Sequence, residues 1–258
     1  MAGYVQDTIL LLGDSLTQNS SVSGGLGQEL STVYNRKLDV LYRGFGGYNS
    51  RWIIPVFEKV FAKKAERQNV PKVQLLTIWF GANDAVLAGE QQHVPLPEYS
   101  ENLSKLVQMV KSPASEWYAP ETRIVLFTPP PINTYQWVEF LKAGDIPRDT
   151  SDRTVENTRS YADAVIAVGQ KEDVPVLDLY SIIWNAAGGE EKKLEAFLTD
   201  GLHLNEKSYK LVFDGLIDII NKKYPELHYD KFETVYPIWK DLNTDNYKEL
   251  LKDSAVRK

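Results

Sequence analysis

The chain has 258 residues, a formal net charge of −6 and no cysteine. The acidic balance argues against nucleic acid as a main partner, because the phosphate backbone demands a basic protein face. Without cysteine there are no disulfides or thiolate metal sites, and three histidines are too few for a histidine-rich metal centre, so we expect no metal. Serine, threonine or a carboxylate therefore remains for covalent catalysis.

Length and hydropathy indicate a folded protein that does not span a membrane. A chain of this length can form one large α/β domain with a sizeable core. The amino terminus lacks the basic region and long apolar stretch of a secretory signal, and no window approaches the ~18 apolar residues of a transmembrane helix. We therefore expect a cytoplasmic protein.

Short apolar runs alternate with segments of helical periodicity along the chain. The predicted strands are 9–12, 39–42, 73–80, 123–128 and 174–179. The predicted helices are 26–36, 52–65, 97–111, 154–172 and 206–224, with a short helix within 132–152 and two helical pieces within 180–198. This alternation implies right-handed βαβ units and a parallel sheet covered on both faces. The sequence thus predicts a single three-layer α/β domain over residues 1–224, with a five-stranded, doubly wound, flavodoxin-like sheet of order 2-1-3-4-5.

The segment 225–258 is predicted to be a helical extension that packs against something. It is rich in aromatic residues, namely Tyr229, Phe232, Tyr236, Trp239 and Tyr247. Such a composition suits packing onto the body of the domain or onto a second subunit better than disorder. In the second case the protein would be a homodimer.

Small polar clusters follow the first three predicted strands. Ser15 follows the first strand, Gly47 the second and Asn83 the third, and in this strand order all three ends meet where the winding reverses. Serine needs a base, and Asp200 lies three residues ahead of His203 in one loop. The aspartate can accept the imidazole Nδ1 hydrogen, which leaves Nε2 free to take the serine proton. The sequence therefore predicts a catalytic triad of Ser15, His203 and Asp200.

A developing oxyanion also needs donors. The candidates are the Ser15 N–H, the Gly47 N–H, which no Cβ obstructs, and the Asn83 side-chain amide. Each cluster alone is explained as well by a turn or a helix cap, but together they supply the groups that one reaction requires. Asp178, at the end of the fifth strand, is a reserve candidate for the acid and is expected to be structural.

Four ordered blocks carry a resemblance to a known superfamily: Gly13-Asp14-Ser15-Leu16, Gly47, Gly81-Ala82-Asn83-Asp84 and Asp200-Gly201-Leu202-His203. From residue 8 to residue 224 the chain resembles the SGNH or GDSL hydrolases. The longer stretches 43–52, 80–85 and 94–97 look like the isoamyl acetate-hydrolysing esterase branch. The resemblance implies a cytoplasmic serine esterase that acts on short-chain acyl esters, acetates in particular, without a cofactor.

Departures from the branch lie in the loops 112–121 and 132–152, which bear on substrate size and on the preferred alcohol group. A small acyl group would be preferred if Phe45, Trp79, Phe80 or the three prolines that follow the fourth strand narrow the crevice beside Ser15. Thr17 stands where an α/β-hydrolase nucleophile elbow has its second glycine, so that fold is not indicated.

Two alternatives remain at this level. The first keeps the triad and changes the substrate, giving a carbohydrate O-deacetylase, a lysophospholipase or a thioesterase. The second is a non-catalytic flavodoxin-like module that binds a phosphate or flavin at the Ser15 turn. The second leaves Asp200 and His203 without a role.

Overall fold

A five-stranded parallel sheet forms the middle of the protein, in a computed structural model that describes residues 6–144 and 147–251. The strands are β1 (Asp7–Gly13), β2 (Leu38–Gly44), β3 (Val73–Trp79), β4 (Arg123–Phe127) and β5 (Val176–Leu177). Their order is β2-β1-β3-β4-β5 and every neighbouring pair is parallel. The predicted fold class and strand order are therefore confirmed.

Helices cover both faces of this sheet. They are α1 (Ser15–Gln18), α2 (Leu26–Val33), α3 (Ser50–Val60), α4 (Leu96–Lys111), α5 (Thr134–Lys142), α6 (Val155–Glu172), α7 (Leu179–Ala186), α8 (Glu206–Lys223) and α9 (Tyr247–Leu250). Successive side chains of β1 enter opposite cores, since Ile9 and Leu11 pack with α2, α7 and α8, whereas Leu10 and Leu12 pack with α3, α4 and α6. Burial on both faces explains why β1 is a continuous apolar run.

Several element boundaries differ from the predictions. The fifth strand pairs with β4 through two residues only, and α7 begins directly afterwards. Asp178 caps α7 by accepting a hydrogen bond from the Ser181 N–H at 3.1 Å, so its carboxylate has a structural partner. The 26–36 helix ends at Val33, because the chain turns into β2 through Arg36 at a φ of +60°.

The region after α7 is broken as predicted. Gly188 and Gly189 both take positive φ, +71° and +72°, which ends the helix. A 3₁₀ helix, Glu191–Ala196, then leads towards α8. These turns place the 198–204 loop at the carboxyl end of the sheet.

Residues 225–237 pack against the turn between α2 and β2. The Tyr34 hydroxyl donates to the Leu227 carbonyl at 2.7 Å, and the Val235 N–H donates to the Arg36 carbonyl at 2.7 Å. The 3₁₀ helices of the whole described extension are Pro225–Leu227, Tyr229–Lys231 and Trp239–Asp241. The boundary at 224 and the homodimer stay predictions, and residues 252–258 of the extension lie outside the described part of the chain.

None of the helices in the described part of the chain combines the length and the apolar character that crossing a membrane requires. A cytoplasmic location stays a prediction.

Candidate active site

The turn between β1 and α1 presents Ser15. Asp14 caps α1, and its Oδ1 accepts the Leu16 N–H at 2.9 Å. Gly13 has no room for a side chain, since a Cβ there would lie 2.1 Å from Thr17 Oγ1 and 2.7 Å from the Trp79 carbonyl. Neighbouring atoms therefore pack directly against the backbone of this turn, which fixes Ser15 at the first position of α1.

The loop before α8 carries the histidine and its carboxylate. The Thr199 N–H donates to the His203 carbonyl at 2.8 Å, which closes the loop into a tight turn. Asp200 Oδ1 accepts the N–H groups of Leu202 and His203 at 2.9 and 2.8 Å. Its other oxygen, Oδ2, lies 2.6 Å from His203 Nδ1. The Asp200 carboxylate is therefore held by the backbone on one side and holds the imidazole on the other.

Ser15, His203 and Asp200 form one continuous hydrogen-bonded chain. His203 Nε2 lies 2.9 Å from Ser15 Oγ, although the two residues are separated by 188 positions in sequence. Burial raises the pKa of Asp200, but the hydrogen bonds from the His203 ring and from the backbone outweigh it and hold that pKa below its ordinary value. The Asp200 side chain is therefore an anion that orients the ring and can stabilise an imidazolium.

The other two histidines have partners elsewhere. His93 Nδ1 lies 2.7 Å from the Val86 carbonyl, in the loop between β3 and α4. His228 accepts the Asp230 N–H at 3.3 Å in the tail. Of the three histidines, His203 is the one that contacts Ser15.

Asn83 connects the loops that follow β1, β2 and β3. Its Nδ2 donates to the Tyr48 carbonyl at 2.9 Å and lies 3.5 Å from Asp14 Oδ2. Gly47 precedes Tyr48 and takes a φ of +78°, which favours glycine. Its carbonyl accepts Gln92 Nε2 at 2.7 Å. The structure thus joins the Gly47 loop and Asn83 to the Ser15 turn, as the strand order predicted.

Two carboxyl groups and one arginine are buried behind these loops. Burial raises the pKa of Asp14 to about 7; the Leu16 N–H opposes this shift, and the neighbouring Asp84 carboxylate adds to it. Burial likewise raises the pKa of Asp84 to about 6. Arg153, which is 3% exposed, donates from Nη1 to Asp152 Oδ1 at 2.8 Å and places Nη2 3.4 Å from Asn83 Oδ1. This charged group is the main part of the site that the sequence did not indicate.

No three His, Asp or Glu side chains in the described ranges are grouped as a metal site would need.

Comparison with known proteins identifies the family. The sequence model of the GDSL-like lipase/acylhydrolase family matches residues 11–211 of the chain. The chain belongs to this family. The chain is accordingly a carboxylic ester hydrolase.

Named relatives cover nearly the whole chain. The human isoamyl acetate-hydrolyzing esterase 1 homolog is 35% identical over 236 residues, which are 91% of this chain and 87% of the relative. The isoamyl acetate-hydrolyzing esterase of Saccharomyces cerevisiae is 32% identical over 248 residues, or 93% and 96% of the two chains. A lipase/acylhydrolase structure from Enterococcus faecalis superposes with a TM-score of 0.60 at 20% identity, covering 89% of this chain and 98% of that one. That structure therefore shares the fold of this chain.

Gly201→Ala is expected to lower both stability and esterase activity. Gly201 takes a φ of +100°, and a Cβ there would lie 2.5 Å from the Trp137 nitrogen and 2.6 Å from the Asn133 carbonyl at the start of α5. The positive φ alone costs alanine about 1–2 kcal/mol. The backbone contact adds to this cost and displaces the loop that carries His203. Thermal unfolding and kcat are the measurements.

Gly89→Ala is the matched control, because Gly89 has nearly the same φ, +99°, with nothing within 4 Å of the added methyl. It should lower the melting temperature less and leave kcat unchanged. Equal losses of kcat in the two variants would contradict the claim that the contact with α5 positions the histidine loop.

Proposed function

We propose that the protein hydrolyses short-chain acyl esters, acetates in particular, through an acyl-enzyme formed on Ser15. The observation that carries this proposal is the hydrogen-bonded chain from Ser15 Oγ through His203 to Asp200. The names of the human and yeast relatives support an acetate ester as the substrate.

The two half-reactions use the same base. His203 Nε2 takes the proton of Ser15 Oγ as the oxygen attacks the ester carbonyl, and Asp200 keeps the Nδ1 hydrogen and stabilises the imidazolium. The imidazolium then gives its proton to the departing alcohol as the carbon–oxygen bond of the ester breaks. In the second half, His203 takes a proton from water, the hydroxide attacks the acyl group, and the proton returns to Ser15 as the acid leaves.

Three donors serve the oxyanion in this proposal. The Ser15 N–H lies at the first position of α1, where no earlier carbonyl of the helix can accept it. The Gly47 N–H lies in a turn whose carbonyl is held by Gln92, and the Asn83 amide lies beside both loops. Donors fixed before the reaction stabilise developing charge without reorganising.

Asn83→Ala should lower kcat by roughly 10²- to 10³-fold with little change in KM, because an oxyanion donor acts mainly in the transition state. Steady-state kinetics on an acetate ester measure both constants. Asn102→Ala is a suitable control, since it removes another buried amide, which donates to Ser50 Oγ at 3.1 Å. A raised KM at unchanged kcat in Asn83→Ala would make Asn83 a binder of the ground state instead.

The aromatic residues predicted to narrow the crevice beside Ser15 differ in how deeply they are buried. Of the residues expected to narrow the crevice, Trp79 and Phe80 are each 1% exposed and belong to the two cores. Phe45 is half-buried, with its ring centroid 5.4 Å from that of Tyr48. Phe45 packs against the core on the α3 and α4 side of the sheet but is not fully buried, so it is the aromatic residue of this set that stays a prediction for the acyl site.

A substrate panel tests the proposal. Acetate, butyrate and octanoate esters of one alcohol should give kcat/KM values that fall with chain length, with Ser15→Ala as the background control. Values that rise steadily to octanoate would overturn the short-chain assignment. A strong preference for a sugar acetate, a lysophospholipid or a thioester would favour the corresponding alternative with the same triad.

A further inference from the structure

We propose that Arg153 is a positioning residue for hydrolysis: together with Gln92 it holds the Asn83 amide in one orientation, with its NH₂ group facing the Tyr48 carbonyl and the Asp14 side chain of the Ser15 turn, and it strengthens that group as a donor. This inference rests on the proposed function, because it concerns how the same oxyanion site is prepared.

The surroundings of Asn83 select one orientation of its amide. Oδ1 faces two donors, Gln92 Nε2 at 3.3 Å and Arg153 Nη2 at 3.4 Å. Nδ2 faces two acceptors, the Tyr48 carbonyl at 2.9 Å and Asp14 Oδ2 at 3.5 Å. A flipped amide would direct its hydrogens at a guanidinium and a side-chain amide nitrogen, and its oxygen at a carbonyl and a carboxyl group. The contacts with the guanidinium, with Gln92 and with the Tyr48 carbonyl would then be unfavourable in either charge state of Asp14.

The guanidinium of Arg153 is itself fixed in place. Nη1 donates to Asp152 Oδ1 at 2.8 Å and Nε to the Ala82 carbonyl at 3.2 Å. The ring of Trp137 lies 4.8 Å from the guanidinium carbon, and Trp137 Nε1 donates to the same Asp152 oxygen at 2.7 Å. With these bonds made, the Nη2 group is left to face Asn83.

The buried guanidinium of Arg153 beside Asn83 Oδ1 also changes the strength of the amide as a hydrogen-bond donor. A donor to the oxygen of an amide polarises it and makes the N–H groups at the other end stronger donors, and the effect is larger in a low dielectric. Gln92 couples this arrangement to the second predicted donor, because its Nε2 also donates to the Gly47 carbonyl. Arg153 thus acts on the oxyanion through Asn83 and does not touch the substrate.

The test is a double-mutant cycle between Arg153→Gln and Asn83→Ala. Arg153→Gln is expected to lower kcat on an acetate ester by about 10- to 100-fold at unchanged KM, by analogy with the outer-shell groups that orient metal ligands. In the Asn83→Ala background the same substitution should have little further effect, since its action passes through the missing amide. Saturating fluorophosphonate labelling counts the folded sites, so kcat is expressed per active molecule.

Inhibition by phenylboronic acid separates positioning from a loss of folded protein. The boronate forms an anionic tetrahedral adduct on the serine, and such adducts report on transition-state binding. Its Ki should rise in Arg153→Gln by the same factor by which kcat falls. A merely structural role would lower the number of active sites and leave Ki unchanged.

Arg148→Gln is the matched control. Arg148 also approaches Asp152, at 3.9 Å, and pairs with Glu90, but it is partly exposed and has no contact with Asn83. It should leave kcat and the boronate Ki unchanged. If Arg153→Gln does not fold, the cycle uses Gln92→Met in its place, because Gln92 is uncharged and only half-buried. The effects of Gln92→Met and Asn83→Ala on kcat should then be non-additive in the same way.

The proposal is overturned if the cycle is additive, or if kcat per site and the boronate Ki stay at the wild-type values. Absence of ester hydrolysis and of labelling at Ser15 in the wild-type protein would instead remove the proposed function. The two failures are thus distinguishable.

Discussion

Replacing Ser15 with alanine is expected to lower kcat by on the order of 10⁶-fold, because the members of a catalytic triad act as a unit. The fold should be retained, since the side-chain hydroxyl is bonded to His203 and to no core element. Turnover of an acetate ester and the melting temperature are the two measurements. Fluorophosphonate labelling followed by peptide mapping should find Ser15 and no other serine.

Ser21→Ala is the control for this variant, because Ser21 lies in the same stretch and its exposed hydroxyl bonds only to the Gln18 carbonyl. It should keep both activity and labelling. A Ser15→Ala protein that retained more than about a tenth of the wild-type activity would refute the assignment of the nucleophile.

Replacing His203 with alanine should cost about as much as losing the serine, on the order of 10⁶-fold in kcat. His93→Ala and His228→Ala provide matched controls, since each removes an imidazole that contacts backbone groups away from Ser15. Both should retain near wild-type turnover. The base would have to be reassigned if either control lost activity while His203→Ala kept it.

The pH dependence follows from the same geometry. As the solution is acidified, kcat/KM should fall, because a protonated imidazole cannot accept the serine proton. Asp200 does not cause this fall in kcat/KM, because its lowered pKa keeps the carboxylate charged to more acidic pH than a free aspartate. Burial raises the pKa of Asp14 to about 7, so this carboxyl group changes charge near neutral pH, and the Asp14→Asn variant shows which part of the profile depends on it.

The parts of the fold that the sequence predicted are those with a strong local signal. A strand buried on both faces is a continuous apolar run, as in β1, and the alternation with amphipathic helices determines a parallel sheet. The fifth strand was predicted too long because its apolar run is divided among three environments. Val174 packs in the core before the strand, Val176–Leu177 pair with β4, and Leu179 is already inside α7. Burial keeps all of them apolar, whereas only the hydrogen-bonding partner distinguishes the strand.

In the site, too, the residues with a local sequence signal could be predicted, whereas a residue defined by contacts distant in sequence could not. Ser15, Asn83 and the Asp200–His203 pair were predictable because each follows an apolar run or precedes a periodic helix. Arg153 was not, since its contacts with Asn83 and Ala82 span about 70 positions and the segment before it has weak periodicity. An arginine directly before a helix cap is ordinarily solvated, and nothing in its neighbours indicates burial.

The long separation of Ser15 from His203 has a consequence for biosynthesis. During translation the first strand and the nucleophile emerge early, and the histidine loop follows almost two hundred residues later. The Tyr209 hydroxyl of α8 donates to the Leu16 carbonyl at 2.7 Å, so the helix that follows the histidine loop also secures the serine turn. A ribosome-bound chain that stops before the 198–204 loop therefore carries a serine without a base. Ester hydrolysis should appear in one step, when the last long helix joins the sheet.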